Sequence, residues 1–363
     1  MKTLFTLALA TWGLLLPAVG QEELTIRTEV EGGIFVKPIP ISLSGFSGEV
    51  AQVLQYDLTV QGFKIANDGT AQFDVAGSNT GNVQGRLTDH IAKVQLLAKS
   101  YSGGSIRAQA HALADDIVFA LTKKKGIGQT KIAFKVDTGS ESEVYVADFD
   151  GCNAVQATRD GSIVAAPTWA PGRMGLYYTS YKLGNAHIFA HNLISRERSV
   201  FARFNGLNIS PAVSPDGSKV AMILSKDGWV DLYVCNTDGT GLKRLTKSPQ
   251  DESSPCWSAD GKYIVFAGKQ GERRSLCKVL ATGGEVQRIR TAGISNPSEP
   301  ECSPDGKWII FTAQMGGFEL CVVPAEGGDA IPLVSGEDAS WSPNSRTVVF
   351  ARRSGNGRSL SVL

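Results

Sequence analysis

The four histidines are the side chains in this chain of 363 residues that are best suited to bind a metal or to transfer a proton at neutral pH. His187 and His191 lie four residues apart in a strand-like segment, but no acidic residue at a familiar spacing completes a ligand set with them. We therefore interpret them, together with His90 and His111, as surface or packing residues. We expect neither a metal site nor a cofactor.

Sequence motifs of the common catalytic and nucleotide-binding sites are absent. The chain has no Gly-x-Ser-x-Gly nucleophile motif, no Gly-x-x-x-x-Gly-Lys-Ser/Thr phosphate loop and no Gly-x-Gly-x-x-Gly dinucleotide motif. Asp-Gly pairs suggest calcium in some proteins, but here they recur where a tight turn needs both residues for its geometry. We therefore expect a protein without catalytic residues.

A short turn recurs along the chain, and its spacing indicates the fold. Ser-Pro-Asp-Gly and its near-copies stand at 170–172, 214–217, 258–261, 303–306 and 342–345. The proline-like positions of successive copies are separated by 44, 44, 45 and 39 residues. Proline, aspartate and glycine are the residues that a turn leading into a hairpin prefers. A period of about 40–50 residues is typical of a propeller or a solenoid.

Short apolar strands follow these turns and predict an antiparallel all-β design. The residues after the turns are β-branched or aromatic, as in Ile264-Val265-Phe266 and Ile309-Ile310-Phe311, and polar turns separate them from further short strands. One such unit cannot bury both of its faces, whereas a ring of units can. Six such strand groups predict a six-bladed β-propeller built from WD40-like (PD40) repeats.

The six cysteines all lie in the predicted propeller. Cys256 and Cys302 hold near-equivalent positions before the turn, and Cys277 and Cys321 hold equivalent positions in the third strand. This pattern is typical of small apolar residues packed between blades, so we favour free buried thiols. Disulfides stay open as the alternative, because an exported protein meets an oxidising compartment.

The first 20 residues have the composition of a signal peptide. Lys2 supplies the positive start, residues 4–16 are mostly apolar, and Ala18 and Gly20 are the small residues before a cleavage site. The apolar run is short for a membrane span, so an uncleaved anchor is the less favoured alternative. No cysteine lies near the cut, and we therefore expect an exported protein without a lipid anchor.

Charge and hydropathy exclude two classes of partner. The net charge of +1 argues against a protein that binds nucleic acid or anionic membranes. No apolar run after the signal peptide is long enough to cross a bilayer. We therefore expect no nucleic-acid partner and no direct insertion into a membrane.

Residues 21–127 differ in style from the repeats and predict a small N-terminal α/β domain, which precedes a propeller over 128–363. Apolar residues at helical spacing predict helices over 47–61 and 106–122, with Ser47 and Ser105 as caps. We expect short strands at 24–30, 73–75, 82–87 and 92–101. Gly126 and Gly128 form the expected hinge between the two domains.

The connections from one blade to the next predict where a partner binds. In a propeller, they open on one mouth of the central channel, and here they are polar and partly acidic. Loops on a rigid scaffold are where binding sites usually lie, although the alternative is that these loops are merely solvated. The residues of these connections that we predict to contact a partner at this mouth are Asn208, Ser210, Asp251, Glu252, Ser253, Ser298, Glu299, Glu337 and Asp338.

Two segments before the repeats carry a family resemblance. Asp57-Leu58-Thr59-Val60-Gln61-Gly62-Phe63 is similar to a D-L-x-x-S-G-F segment, with Gln61 where serine is usual. Residues 114–134, from Ala-Asp-Asp-Ile to Lys-Ile-Ala-Phe, look like a junction of helix and first blade. With the signal peptide and the Ser-Pro-Asp-Gly repeats in the same order, the chain resembles the TolB family of periplasmic propeller proteins of the Tol–Pal envelope system.

The resemblance implies a non-catalytic, monomeric scaffold in the periplasm. It implies that the propeller mouth binds a Pal-type peptidoglycan-associated lipoprotein through loops that correspond here to Leu207–Ser210 and Asp251–Ser253. It also implies that the mature N-terminal segment binds a TolA-type inner-membrane protein. It further implies support of outer-membrane integrity and of envelope constriction during cell division. The corresponding N-terminal residues in this chain are Gln21, Glu22, Glu23, Leu24 and Thr25.

Closure of the ring departs from the family pattern. The sequence reaches Leu363 inside the third strand of its last unit, whereas the family usually continues with a strand that completes the first blade. We expect the first blade to lack its inner strand and the last unit to lack its outer strand, which would leave open edges. Three alternatives stay open: residues 125–131 substitute, closure is incomplete, or the sequence stops early.

Two other functions are compatible with the same fold. One is an exported propeller that recruits a different partner. The other is an exported hydrolase or sugar-binding enzyme, to which Glu252, Glu299 and Asp338 near the mouth would supply carboxylates. No hydrolase domain follows the propeller, which disfavours a propeller-gated peptidase.

Overall fold

The structure, a computed structural model, describes residues 27–28, 37–66, 69–270, 273–355 and 357–363. The predicted signal peptide at 1–20 and the predicted partner-binding segment at 21–25 lie outside these residues. Within the described ranges, no helix is both long enough and apolar enough to cross a membrane.

A five-stranded sheet covered by two helices forms the first part of the described chain after Arg27–Thr28 (β1). Its strands are Ile39–Ser44 (β2), Phe63–Ile65 (β3), Phe73–Ser78 (β4), Gln84–Asp89 (β5) and Val94–Ser100 (β6). Their spatial order is β3-β2-β4-β5-β6. β2 pairs in parallel with β3 and β4, and the remaining pairs are antiparallel. This is the small α/β region that the sequence predicted.

The helices Gly48–Val60 (α1) and Ile106–Thr122 (α2) confirm the two predicted helices. Ser105 caps α2, because its Oγ accepts a hydrogen bond from Ala108 N at 3.1 Å. Ser47 precedes α1 in an extended conformation but makes no side-chain cap bond. Apolar side chains at helical spacing pack the helices on the sheet, among them Val50, Leu54, Leu58, Leu113 and Ile117.

Six sheets follow, each of them one blade, and they confirm the six-bladed propeller. Blade 1 contains Lys131–Asp137 (β7), Ser142–Asp148 (β8) and Val155–Gln156 (β9). Blade 2 contains Val164–Trp169 (β10), Gly175–Ser180 (β11), His187–Asn192 (β12) and Arg198–Ala202 (β13). Blade 3 contains Asn208–Val213 (β14), Lys219–Leu224 (β15), Asp231–Asn236 (β16) and Lys243–Arg244 (β17). Within each blade, successive strands pair antiparallel.

The last three blades repeat this order. Blade 4 contains Ser253–Trp257 (β18), Tyr263–Gln270 (β19), Arg273–Leu280 (β20) and Gln287–Ile289 (β21). Blade 5 contains Ser298–Cys302 (β23), Trp308–Gln314 (β24), Phe318–Pro324 (β25) and Ile331–Ser335 (β27), and beside it lies the strand pair of Thr291–Ala292 (β22) and Gly328–Asp329 (β26). Blade 6 contains Glu337–Trp341 (β28), Val348–Ser354 (β29) and Gly357–Val362 (β30).

The recurring turns hold their aspartates by hydrogen bonds within the turn. The Ser214 hydroxyl donates to Asp216 Oδ1 at 2.5 Å, and Ser218 N donates to the same oxygen at 3.0 Å. These hydrogen bonds, that of Ser214 first, lower the pKa of Asp216 to about 2. The turns at Asp260 and Asp305 repeat the pattern. The aspartates therefore serve turn geometry, as their positions predicted.

Tryptophans just before the turns join neighbouring blades. Trp257 Nε1 donates to Ala212 O at 2.9 Å across blades 3 and 4, and Trp341 Nε1 donates to Glu301 O at 3.1 Å across blades 5 and 6. Buried apolar side chains of facing sheets, such as Ile223 and Phe266, fill the space between the blades. The core of the propeller is therefore a ring of contacts between blades.

The last blade obtains its fourth strand from the N-terminal side of the chain. β1 lies parallel to β30, with Arg27 opposite Ser361 and Thr28 opposite Val362. The expectation that the last unit lacks an outer strand was therefore wrong, because a segment remote in sequence covers that edge. The described part of the strand predicted at 24–30 thus joins the propeller and not the N-terminal sheet. Blade 1 has three strands among the described residues, and 125–131 contribute no additional one.

The connection between the N-terminal region and the propeller is packed against the helices. Gly128 N donates to Asp115 Oδ1 at 2.7 Å, and Ile127 N donates to Gln61 Oε1 at 2.9 Å. A Cβ atom on Gly126 would lie 2.2 Å from Asp115 Oδ1. The two glycines that we expected to form a hinge therefore permit a close approach of the chain to α2.

Candidate functional site

The loops that enter the inner strands meet the hairpin turns that follow the second strands at one end of the propeller. In blade 3, Ser225 N donates to Leu207 O at 3.1 Å. Between blades, Glu252 N donates to Val230 O at 3.1 Å, and Gly336 N donates to the carbonyl of Phe318 at 2.9 Å. We call this end, which carries the predicted partner-binding loops, the mouth.

Five inner strands carry a non-glycine residue in the left-handed conformation at the same place. The φ angles are 48° at Ala166, 52° at Ser210 and Ser254, 51° at Glu299 and 54° at Asp338. Each residue lies five positions before the proline-like position of its turn, at a break in register between the first two strands of its blade. Non-glycine residues with this φ are uncommon and cluster at functional sites. The bulges therefore mark the mouth as a specialised region.

Side chains of neighbouring blades bind the backbone of these bulges. Asp338 N donates to Glu299 Oε2 at 3.3 Å, across blades 6 and 5. Ser210 N donates to Thr179 Oγ1 at 3.1 Å, across blades 3 and 2. Glu299 Oε2 also accepts from Thr312 Oγ1 at 2.8 Å. A bulge leaves backbone groups outside the strand ladder, and these contacts satisfy two of them.

Asp338 places a titratable carboxyl at the mouth. Although the residue as a whole is exposed, the protein packed around its carboxyl group, and then the charges of Glu299 and Glu337, raise its pKa to about 6. Arg358 and Lys135 act in the opposite direction. The charge of the mouth therefore changes in mildly acidic solution.

Asn208 is buried, so it is not available to a partner, which corrects its prediction as a contact residue. None of its surface is exposed. Its amide donates to Phe204 O at 2.8 Å and to Ala186 O at 3.1 Å, and its Oδ1 accepts from the backbone N–H of Phe204 at 2.7 Å. Asn208 therefore holds the entering loop in its shape.

Glu252 and Glu337 are also buried, and the same correction applies to them. Glu252 Oε2 accepts from Leu232 N at 2.9 Å, and burial raises the pKa of this carboxyl to about 7 against the hydrogen bonds that it accepts. Glu337 Oε1 lies 2.8 Å from Arg358 Nε and 3.3 Å from Arg353 Nε. Both glutamates therefore organise the loops from within.

The other predicted residues reach the surface of the mouth. Asp251 and Asp338 are exposed, and Leu207 is 36% exposed. The structure brings these three to the same end as four half-buried residues, namely Ser210, Ser253, Ser298 and Glu299. Six of these seven residues are polar or acidic, so the predicted residues that are not buried form a polar and acidic set at the mouth.

Large apolar side chains are exposed around this polar set, and of these only Leu207 was predicted from the sequence. They are contributed by the hairpin turns of blades 2, 3 and 5 and by the entering loops, and their exposed fractions run from 36% to 51%. We call these seven residues the apolar rim: Ile163, Tyr181, Leu183, Leu207, Trp229, Met315 and Phe318. An apolar residue inside a polar, glycine-bearing turn, as at Gly228-Trp229, is the signal that could have revealed them.

His187 and His191 are buried in β12, in agreement with their interpretation as packing residues. Burial lowers the pKa of both imidazoles. Neither belongs to a group of potential ligands among the described residues.

His111 instead belongs to a buried charged cluster that joins α1, α2 and blade 1. Its Nδ1 lies 2.7 Å from Asp57 Oδ2, and its Nε2 lies 3.6 Å from Asp150 Oδ2. Arg107 pairs with Asp150 and lies 3.1 Å from Glu49 Oε1. The cluster therefore attaches the N-terminal region to the propeller by charge as well as by packing.

Asp57, His111 and Asp150 form the one group in the described ranges whose ligand atoms lie close enough to share a metal ion, within 4.8 Å. Arg107 already pairs with Asp150, so we assign the group as an ion-pair network. Burial raises the pKa of Asp57 to about 6, although His111 opposes the shift. Burial alone would lower the pKa of His111, but Asp57 and then Asp150 outweigh it and raise this pKa. The cluster therefore favours a protonated imidazole.

A comparison with protein families finds a match over most of the chain. Residues 118–363 match the family described as the TolB beta propeller domain (PD40). Two relatives named Tol-Pal system protein TolB, from Bordetella pertussis and Bordetella bronchiseptica, are each 33% identical over 208 residues, or 56% of this chain. The match covers 48% and 47% of those relatives, so the chain spans about half of their length.

Solved structures share the fold. A crystal structure of TolB from Acinetobacter baumannii superposes with a TM-score of 0.82 at 24% identity, over 90% of this chain and 91% of that one. A putative TolB from Agrobacterium tumefaciens gives a TM-score of 0.52 at 20% identity, over 58% of this chain and 80% of that one. These likenesses show the architecture, and the family match covers more than half of the sequence. The chain belongs to the TolB beta propeller domain family.

Proposed function

We propose that the chain is a non-catalytic periplasmic scaffold of a Tol–Pal system. Its mouth binds a Pal-type peptidoglycan-associated lipoprotein, and its N-terminal segment 21–25 binds a TolA-type inner-membrane protein. The family match and the name of the relatives, Tol-Pal system protein TolB, support the assignment to that system. The signal-peptide composition of residues 1–20 supports export.

The observation that carries the proposal is the composition of the mouth. Seven large apolar side chains surround a polar and acidic set at one end of the propeller. Exposed apolar groups cost free energy in water, and their concentration on one surface marks a protein-binding site. Tyrosine, tryptophan, phenylalanine and methionine, which the apolar rim contains, are enriched in such interfaces.

The acidic set within the rim indicates which kind of group the partner brings. Asp338, Asp251 and Glu299 place negative charge at the mouth. A partner loop with a basic or hydrogen-bond-donating tip would satisfy these carboxylates, while its apolar flanks would pack on the rim. Burial of the rim would supply affinity, and the acidic set would supply orientation.

The mouth is held in its shape before a partner arrives. The contacts of Glu299 with Asp338 and of Thr179 with Ser210 join neighbouring blades at the bulges. A surface that is already ordered loses less conformational entropy on binding. The network therefore supports a binding role for the mouth.

The chain pairs with the edge of the last blade just after the proposed TolA-binding segment. Arg27 and Thr28 (β1) are the described residues that make this pairing. Short edge strands open at low free-energy cost. We infer that the segment exists in an attached state and a released state and that partner binding at the mouth shifts the balance between them. In this way the scaffold would support envelope integrity and constriction during division.

Isothermal titration of the mature chain, 21–363, against the soluble domain of the Pal-type lipoprotein from the same organism tests the proposal. We expect saturable binding that weakens about tenfold or more in Trp229→Ala, because aromatic side chains at interface centres often dominate affinity. The matched control is Ile194→Ala, in a turn at the opposite end of the propeller, where 78% of the side chain is exposed. No binding by a folded protein, or equal weakening by both variants, would contradict the proposal.

A further inference from the structure

Two cysteines bring their thiols together between adjacent blades. Cys256 lies in β18 of blade 4 and Cys302 in β23 of blade 5, 46 positions apart in sequence. Their Sγ atoms lie 3.3 Å apart, with one thiol donating a hydrogen bond to the other. Cys277 and Cys321 differ, because their thiols face backbone carbonyls at 3.9 Å and 4.0 Å.

We propose that Cys256 and Cys302 are a modification site, a thiol pair that oxidises to a disulfide joining blades 4 and 5. A disulfide bond is about 2.05 Å long, so the two sulfur atoms have to approach by about 1.2 Å. Both thiols already face each other within the apolar space between the two sheets. Cys256 and Cys302, which hold near-equivalent positions in consecutive repeats, thus lie side by side. The sequence pattern had favoured free thiols at these positions.

Exposure sets the order in which the two thiols react. Cys302 is half-buried, whereas Cys256 is 5% exposed. Burial, and then the neighbouring Cys302 thiol, raise the pKa of Cys256 well above its usual range, which suppresses its reaction with reagents in solution. Cys302 is therefore the thiol that meets the oxidant, and Cys256 is the thiol that resolves the intermediate.

The oxidant is a disulfide donor, either a small-molecule disulfide or a thiol–disulfide oxidoreductase. The Cys302 thiolate attacks one sulfur of the donor, which forms a mixed disulfide and releases the first donor thiolate. The Cys256 thiol, already in contact with Cys302 Sγ, then gives up its proton as it attacks that sulfur. This step forms the protein disulfide and releases the second donor thiolate, which takes up the proton. The protein loses two electrons and two thiol protons, and the donor gains the two electrons.

The disulfide would fix the inner strands below the mouth. Ser254 and Glu299, two of the left-handed bulge residues, lie two and three positions before Cys256 and Cys302. A covalent link between the strands would hold these bulges at a constant separation. It would also restrict the unfolded chain, because it closes the loop that carries the rest of blade 4.

The test treats the reduced, folded full chain with excess oxidised glutathione at about pH 8, where a thiolate is available for exchange. Free thiols are then blocked, and the tryptic peptides are analysed by mass spectrometry without reduction. We expect peptide 248–262, which contains Cys256, linked to peptide 291–307, which contains Cys302. Cys152 is exposed and should carry a glutathione adduct, and this adduct would show that the oxidant reacted. A reacted Cys152 with Cys256 still free would overturn the proposal.

Paired variants test the consequence for stability. We expect oxidation to raise the melting temperature of the wild type and of Cys321→Ser by several degrees and to leave Cys302→Ser unchanged. An equal rise in Cys302→Ser would overturn the proposal, because the stabilisation would then not come from this pair. The test does not depend on the Tol–Pal assignment, since export supplies only the natural source of the oxidant.

Discussion

Glu299 accepts a hydrogen bond from the backbone N–H of Asp338 at 3.3 Å, and this contact joins the inner strands of blades 5 and 6. Both residues have a left-handed φ, at 51° and 54°, and both were predicted to contact a partner. The pair therefore combines the two properties of the mouth, a backbone held by contacts between blades and carboxyl groups that a partner can reach.

Replacing Glu299 by glutamine should lower the pKa of Asp338. Burial is the main cause that raises the pKa of Asp338 to about 6, and the charge of Glu299 is the second. The glutamine amide oxygen can still accept the hydrogen bond from Asp338 N, but the contribution of the like charge is removed. NMR titration of the Asp338 carboxyl carbon measures the effect. Glu319→Gln, in the third strand of the same blade, is the control, and an unchanged pKa in Glu299→Gln would contradict our account of the mouth.

The charged cluster at the domain junction should make stability fall as pH rises. The folded-state pKa of Asp57 is about 6 and lies above its usual value, so its contribution is lost between about pH 4 and pH 6. The pKa of His111 is also raised, so the contribution of the imidazolium is present below about pH 6.5 and is lost as pH rises through the folded value. Both groups therefore act in the same direction.

Asp57→Asn tests this cluster, because it removes the buried carboxyl and the charged partner of His111. The pH dependence of the unfolding free energy should decrease by up to about 3 kcal/mol across this range. Chemical denaturation at several pH values measures it, with Asp137→Asn on the propeller surface as control. An equally steep dependence in Asp57→Asn would show that another group is responsible.

Trp257→Phe should destabilise the propeller. The substitution keeps most of the apolar packing between blades 3 and 4 but leaves the buried carbonyl of Ala212 without the indole donor at 2.9 Å. We expect a loss of about 1–3 kcal/mol in the free energy of unfolding. Trp229→Phe, in the exposed apolar rim, should change stability by less than about 0.5 kcal/mol. If urea denaturation gave equal losses of unfolding free energy for the two substitutions, this would be evidence against the hydrogen bond from Trp257 to Ala212.

Deletion of residues 21–25 should separate the two proposed binding activities. The two proposed sites use different residues of the chain, so affinity for the Pal-type lipoprotein should stay within about twofold of that of the intact mature chain. Binding to the TolA-type protein should be lost. Titration of both partners against the deletion variant measures this, and loss of both activities would mean that the segment is structural.

The repeats predicted the architecture well because each one is a local pattern. Proline, aspartate and glycine define the turns through their own backbone preferences, and the strands beside them are short and apolar. The helices α1 and α2 followed from apolar periodicity for the same reason. These features depend on residues close together in sequence.

Features that depend on distant residues were not predicted. A strand was predicted at 24–30, but its partner was not, because β1 pairs with a strand more than 300 positions away and no local period reveals that pairing. Asn208 is polar and begins β14, yet it is buried because its amide donates to Phe204 O in the entering loop and to Ala186 O in the neighbouring blade. The pairing of His111 with Asp57 and Asp150 depends equally on how the domains pack. The apolar rim is distributed over several turns, and only the closed fold brings it to one surface.

Hydrogen–deuterium exchange of the mature chain, with and without the soluble domain of its Pal-type lipoprotein, shows which surface of the propeller binds this partner. We expect slower exchange at the mouth, in 205–210, 226–230, 250–254 and 315–318, and unchanged exchange in the turns at the opposite end, 170–174 and 214–218. Protection confined to the opposite turns, or no protection at a saturating concentration of the partner, would contradict the assignment of the mouth as the binding surface.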